Sequence, residues 1–139
     1  MREFQTQLDH AVAMKFAQRT ATANGEILDL KDVGAVDIVV FTGVVTTADA
    51  SNRFNFKLQE GNDSGLSDAA DVAAADTVVD GTIGGTPAAL NNTNLLDKIL
   101  TRISYRGYKR YIRLVATETG TADASFGAVA VKAHTPKQP

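Results

Sequence analysis

The chain has 139 residues, of which 44% are hydrophobic and 22% charged, so it has the size and composition of one soluble globular domain and is not disordered throughout. It has no cysteine, which excludes disulfides, zinc–thiolate sites and cysteine nucleophiles. Its formal net charge of -2 gives no overall attraction to nucleic acids or anionic membranes.

The first ten residues are interpreted as a polar arm with two large apolar side chains, Phe4 and Leu8. The arm has no apolar core run, so we expect no secretory signal, and no part of the chain approaches the ~18 apolar residues that span a bilayer. We predict that residues 1–10 become ordered against a neighbouring subunit. Residues 11–134 would be the folded domain, and the proline-containing residues 135–139 a short tail.

Two signals in the next part of the chain predict β-structure. The Asn24-Gly25 pair between two extended runs predicts a hairpin, with residues 26–30 as its return strand. Residues 35–46 are rich in β-branched side chains and almost continuously apolar. This pattern predicts a central strand that is covered on both faces.

Residues 53–59 alternate between apolar and polar side chains, which predicts a strand with one solvent-exposed side. The following loop, residues 62–71, is rich in Asp, Asn and Gly and has two interpretations, an Asx-rich turn and a calcium site. The loop lacks the D-x-[DN]-x-[DN]-G order and the closing Glu of the calcium motif, so the turn is favoured.

Alternation returns over residues 99–106 and 110–117, and a last strand is predicted over residues 124–133. With turn signals between short strands, the pattern predicts an all-β protein, an antiparallel β-sandwich of jelly-roll type with about eight strands. Its core would combine the inward-facing side chains of four strands: Val39, Phe41, Phe54, Phe56, Leu58, Ile112, Leu114, Val129 and Val131.

Positive charge is concentrated between residues 98 and 113, which hold six lysines or arginines interleaved with three tyrosines. These cations could line solvated strand faces and pair with acids, or they could bind an acidic protein surface or a nucleic acid. Strand geometry is expected to bring most of the evenly spaced arginines to one face of a hairpin. The candidate partner-binding residues are therefore Phe4, Leu8, Arg102, Arg106, Arg110 and Arg113.

Templates for catalysis do not fit the chain. The P-loop, dinucleotide-binding and G-x-S-x-G patterns do not occur, and the two histidines, His10 and His134, lie near opposite ends. Spacing alone leaves a pair of carboxylates open, but the chain has no tryptophan on which a sugar ring would stack. We predict a protein that is not an enzyme, with no catalytic residue, no cofactor and no metal site.

Four segments together resemble a known group of proteins: residues 20–30 (with TATANG and LDL), 56–63 (FKLQEGND), 105–114 (YRGYKRYIRL) and 127–134 (GAVAVKAH). They are similar to segments of small virion proteins of tailed phages and prophages, of the capsid decoration (cement) type. The resemblance runs over most of the chain, from about residue 11 to residue 134, and its motifs are structural.

The resemblance implies a virion structural protein on the capsid exterior, made in the cytoplasm of a bacterial host. Such a protein stabilises the head by bridging neighbouring major capsid proteins. The implied partners are the major capsid protein and further copies of the chain, with a trimer expected, and neither a membrane nor a specific nucleic acid. The alternative is a tail or fibre module that binds a host surface glycan or protein.

Overall fold

A computed structural model describes residues 7–134. Within that range the backbone forms eleven strands and one 3-10 turn (Ala74–Asp76), and no helix is long and apolar enough to cross a membrane. The strands are β1 (Leu8–Arg19), β2 (Ala23–Asn24), β3 (Leu28–Asp29), β4 (Val33–Thr47), β5 (Arg53–Gly61), β6 (Ala70–Asp71), β7 (Thr77–Val79), β8 (Thr82–Ile83), β9 (Ile99–Tyr105), β10 (Tyr111–Thr119) and β11 (Asp123–His134).

The strands form two antiparallel sheets. The larger sheet has the order β1-β11-β4-β9-β7-β8, and the smaller has the order β2-β10-β5-β6, with β3 also paired to β10. The predicted all-β antiparallel sandwich is confirmed, and its jelly-roll topology stays a prediction. There are more strands than the predicted eight or so because five of them are only two or three residues long.

The core lies between the two sheets. The predicted core residues of β5 and β10 are all buried: Phe54, Phe56, Leu58, Ile112 and Leu114. Phe126 of the larger sheet packs edge-on against two of them, with ring centroids 4.9 Å from Phe54 and 5.4 Å from Phe56. Alternation in β5 and β10 therefore predicted the correct inward face.

In β4 and β11 the predicted inward face is wrong. Four residues assigned to the core lie on the outer face of the larger sheet and are only partly buried: Val39, Phe41, Val129 and Val131. The buried positions are their neighbours, among them Ile38 and Ala128. Valine favours strands because it fits a pleated surface on either face, so the valines did not indicate which face turns inward.

β4 is a central strand, as predicted for residues 35–46, since β11 pairs with one of its edges and β9 with the other. The prediction that both of its faces are covered is wrong. One face packs in the core, whereas Val44 on the other face is 64% exposed. Within residues 7–134, the outer face of β4 from Val39 to Val44 is therefore an apolar surface that is partly open to solvent.

The Asn24-Gly25 pair does not form the predicted hairpin. Both β2 and β3 pair with β10, so residues 23–29 run along one edge as an interrupted strand. The Gly25 N–H donates to the Leu114 carbonyl oxygen at 2.6 Å, and a Cβ on Gly25 would lie 2.3 Å from the Ala13 carbonyl oxygen. Glycine is needed here because two backbones approach closely, and not because the chain turns back.

Part of the predicted arm, residues 8–10, belongs to the folded domain. β1 begins at Leu8, and residues 8–10 pair with the end of β11 in the same chain. Residues 1–6, which include Phe4, and the predicted tail, residues 135–139, lie outside the described residues.

Candidate interaction surfaces

The four candidate arginines do not share a face. β9 and β10 belong to different sheets, and residues 106–110, here called the arch, connect them. Arg102 lies on the outer face of the larger sheet, 4.0 Å from an Asp80 oxygen, whereas Arg113 lies on the smaller sheet and donates to Gln59. The expectation that a hairpin collects these arginines on one face is wrong, because β9 and β10 are not a hairpin. Arg106 and Arg110 both belong to the arch.

Tyr105 holds the arch in place. Its buried hydroxyl donates to Glu60 Oε2 at 2.5 Å and accepts the backbone N–H of Lys109 at 3.0 Å. Burial, with the Glu60 carboxylate beside it, raises the pKa of Tyr105, so the hydroxyl stays a neutral donor. A Cβ on Gly107 would lie 2.3 Å from the Tyr105 oxygen. The arch can therefore cross over Tyr105 only because residue 107 has no side chain.

A cleft lies between the arch and the first residues of β4. It consists of two adjoining cavities of about 360 and 500 Å³, which share Tyr105 and residues 34–36. Tyr108, at the tip of the arch, is fully exposed at the mouth of the first cavity. Four cationic side chains line the two cavities: Lys31, Arg106, Lys109 and Arg110.

One of these cations is neutralised. Arg110 donates to both carboxylate oxygens of Asp29, at 2.9 and 3.0 Å, and this pairing lowers the pKa of Asp29 to about 2. Among residues 7–134, no carboxylate lies within ion-pair distance of Lys31, Arg106 or Lys109. In a chain with a net charge of -2, the cleft holds three cations without an ion-pair partner and one carboxylate, that of Asp37, so its local charge is positive.

The second surface is the outer face of the larger sheet. Val12, Val129 and Val39 are cross-strand neighbours and form an apolar row over β1, β11 and β4. Beside this row, the ring of Phe16 stacks on that of Phe41, with centroids 5.7 Å apart and planes 3° from parallel. We define the outer patch as these residues together with two exposed neighbours: Val12, Phe16, Val39, Phe41, Val44, Ile99 and Val129.

Two glycines make room for Phe16 on this surface. A Cβ on Gly43 would lie 2.5 Å from Phe16 Cζ, and a Cβ on Gly127 would lie 2.9 Å from Phe16 Cα. The ring lies across the sheet in the space that these missing side chains leave, yet Phe16 is still 54% exposed. The local sequence therefore builds an apolar surface here instead of burying the ring.

Residues 62–71 form a turn held by carboxylates. Asp63 accepts the backbone N–H groups of Gly65 at 2.9 Å and Ser67 at 3.2 Å, while Asp68 accepts those of Asn62 at 2.8 Å and Asp63 at 3.2 Å. The bond from Ser67 lowers the pKa of Asp63, and the bond from Asn62 lowers the pKa of Asp68. This is the Asx-rich turn that the sequence favours. Within residues 7–134, no three His, Asp or Glu side chains are grouped to hold a metal ion.

The outer patch was missed at the sequence level, although a signal for it exists. In residues 35–46 both alternating sets of side chains are largely apolar, which is unusual for a strand with one wet face. The cleft gave no comparable signal, because Lys31 is far from the arch in sequence and meets it only through the fold.

Together, the two packed antiparallel sheets and these surfaces define an all-β sandwich module with exposed apolar and cationic contact areas. No family model matches the chain, and no curated protein matches its sequence. Among solved structures, the fold is similar to that of the SPBc2 prophage-derived protein YomS, with a TM-score of 0.54 over 89% of this chain and 92% of that chain. The two sequences are 10% identical, so the likeness shows a shared fold.

Proposed function

We propose that the protein is a structural component of a phage particle, which decorates the head exterior and stabilises the shell by bridging neighbouring major capsid proteins. The observation that carries this proposal is the outer patch. The resemblance of four sequence segments to phage virion proteins supports it, as does a fold shared with a prophage-derived protein. Its partners are the major capsid protein and further copies of the chain, with which it forms trimers.

The outer patch has the size of an interface centre. With strands ~4.8 Å apart and successive rows ~7 Å apart, it covers roughly 300 Å², comparable to the largest apolar patches of monomeric proteins, which are often functional. A standard interface buries about 800 Å² on each partner, so the patch supplies an apolar centre to which a polar rim must be added. Each copy that binds the assembled shell, and not the free subunit, stabilises the shell by linkage.

The first experiment measures copy number on a stained gel of purified particles. We expect a number of copies comparable to that of the major capsid protein. A few copies per particle, located away from the head, would contradict the proposal and favour the tail or fibre module instead.

The second experiment measures binding of recombinant protein to particles stripped of it. Ile99→Asp places a charge in the outer patch at a side chain that is 66% exposed, so we expect weaker binding with little loss of stability. Ile27→Asp is the matched control, since Ile27 is an exposed isoleucine between β2 and β3, which pair with the smaller sheet, and it is not part of the patch. Equal occupancy by the two variants would contradict a role for the patch.

A further inference from the structure

The cleft contains an unpaired strand edge. β9 pairs with β4 only from Asp37 onward, where Asp37 lies opposite Ser104. β4, however, begins at Val33, and its first four residues have a strand partner only on the β11 side within the described chain. Residues 34–36 line both cavities, so the open side of this short edge faces the cleft.

The surroundings of this edge combine apolar and cationic groups. Val36 of the edge and the neighbouring Tyr105 are buried, and Val131 lines the second cavity. Lys31 and Lys109 line the first cavity, and Arg106 lines the second, so unneutralised cations lie in both cavities that adjoin the edge. An extended peptide alternates its side chains to two sides, which matches cations in two cavities that share one backbone edge.

We infer that residues 33–36 are a strand-addition site for an extended acidic segment of a partner protein. The segment forms main-chain hydrogen bonds with the open edge of β4, and its carboxylates pair with Lys31, Arg106 and Lys109. This inference rests on the proposed function and deepens it, because it names the chemistry of a second contact beside the outer patch.

A protein segment fits this cleft better than a nucleic acid does. The open edge presents both N–H and C=O groups, and another protein backbone satisfies both, whereas a phosphate only accepts hydrogen bonds.

The test uses the full chain and a short synthetic peptide that alternates glutamate with valine or threonine. Binding is followed by NMR titration and by amide hydrogen exchange. We expect the glutamate peptide to bind more tightly than the same peptide with lysine in place of glutamate. We also expect it to protect those amides of residues 34–36 that point away from β11. Lys31→Glu combined with Lys109→Glu should weaken binding at least about tenfold.

Lys15→Glu combined with Lys98→Glu is the control variant, because it changes the net charge equally at exposed side chains that do not line the cleft. It should bind the peptide almost as the unmodified protein does. Equal weakening by the two variants, or binding without protection of the amides of residues 34–36 that point away from β11, would overturn strand addition. Tighter binding of a single-stranded oligonucleotide at the same residues would overturn the choice of a protein partner.

These outcomes distinguish a failure of the strand-addition site from a failure of the proposed function. The peptide experiment contains no particle, so peptide binding with no attachment to capsids would contradict the decoration role and leave the strand-addition site standing. Attachment to capsids by a protein that does not bind the peptide would contradict the strand-addition site and leave the decoration role standing. Urea unfolding of each variant establishes that the substituted protein is folded.

Discussion

Phe56 and Asn55 are adjacent on β5 but have opposite environments. Phe56 is 5% exposed and packs against Phe126, whereas Asn55 lies on the outer side and its amide is 3.3 Å from the Thr119 hydroxyl. We expect Phe56→Ala to lower the free energy of unfolding by ~3–5 kcal/mol and Asn55→Ala to change it by about 0.5 kcal/mol or less. Urea melts measure both values. Equal losses would mean that the inward face of β5 is misassigned.

Asp29 gives the fold a small dependence on acid pH. Its pairing with Arg110 lowers the pKa from 3.8 to about 2 in the folded chain. The stabilisation is therefore complete above pH 3.8 and is lost as the pH falls through about 2. Because both side chains are about half exposed, we expect only about 0.5 kcal/mol. In urea melts, Asp29→Asn should flatten this part of the pH profile, and an unchanged slope would contradict the pairing.

At the scale of the element, the arch depends on the Tyr105 hydroxyl. Tyr105→Phe leaves Glu60 Oε2 and the Lys109 N–H, both partly buried, without their shared partner, so we expect a loss of ~1–3 kcal/mol and faster motion of residues 106–110. Urea melts and ¹⁵N relaxation measure the two effects. Tyr108→Phe is the control, because the Tyr108 side chain is fully exposed. An arch that is as rigid in Tyr105→Phe as in the control would show that packing alone holds it.

The longer strands were predictable from sequence because alternation persists over many residues, as in β5 and β10. Periodicity, however, indicates a strand without indicating its sheet or its inward face. It therefore misplaced Val39 and Val129, and it joined β9 and β10 into a hairpin. Gly25 was misread for a related reason, since a close approach of two backbones leaves the same local signal as a turn.

The candidate site was predictable in its charges and not in its geometry. The cluster of cations at residues 98–113 could be recognised in the sequence. Their distribution over two sheets depends on the arch, which places Arg102 and Arg113 on different sheets. Lys31 joins the cleft through a contact that is distant in sequence, so no local pattern could place it there.

At the scale of the whole molecule, the two surfaces should respond differently to salt. At 1 M salt the Debye length falls to ~3 Å, so contacts of the cationic cleft weaken while those of the outer patch do not. In binding to stripped particles, we expect Lys31→Glu with Lys109→Glu to bind more weakly than the unmodified protein at low salt and equally at high salt. The weaker binding of Ile99→Asp should persist at both low and high salt. If the double variant bound more weakly than the unmodified protein by the same factor at low and at high salt, an electrostatic role for the cleft would be contradicted.

The position of β11 between β1 and β4 has a consequence for synthesis of the protein. The larger sheet joins strands from the two ends of the described chain, with Leu8 opposite Ala133. Such non-local pairing makes folding slow, on the order of milliseconds to seconds, and leaves the edges of β1 and β4 open until β11 arrives. Fragments that end before Asp123 should therefore aggregate in a sedimentation assay, whereas the chain through His134 stays in the supernatant. The native sheet can close only after residue 134 has left the ribosome.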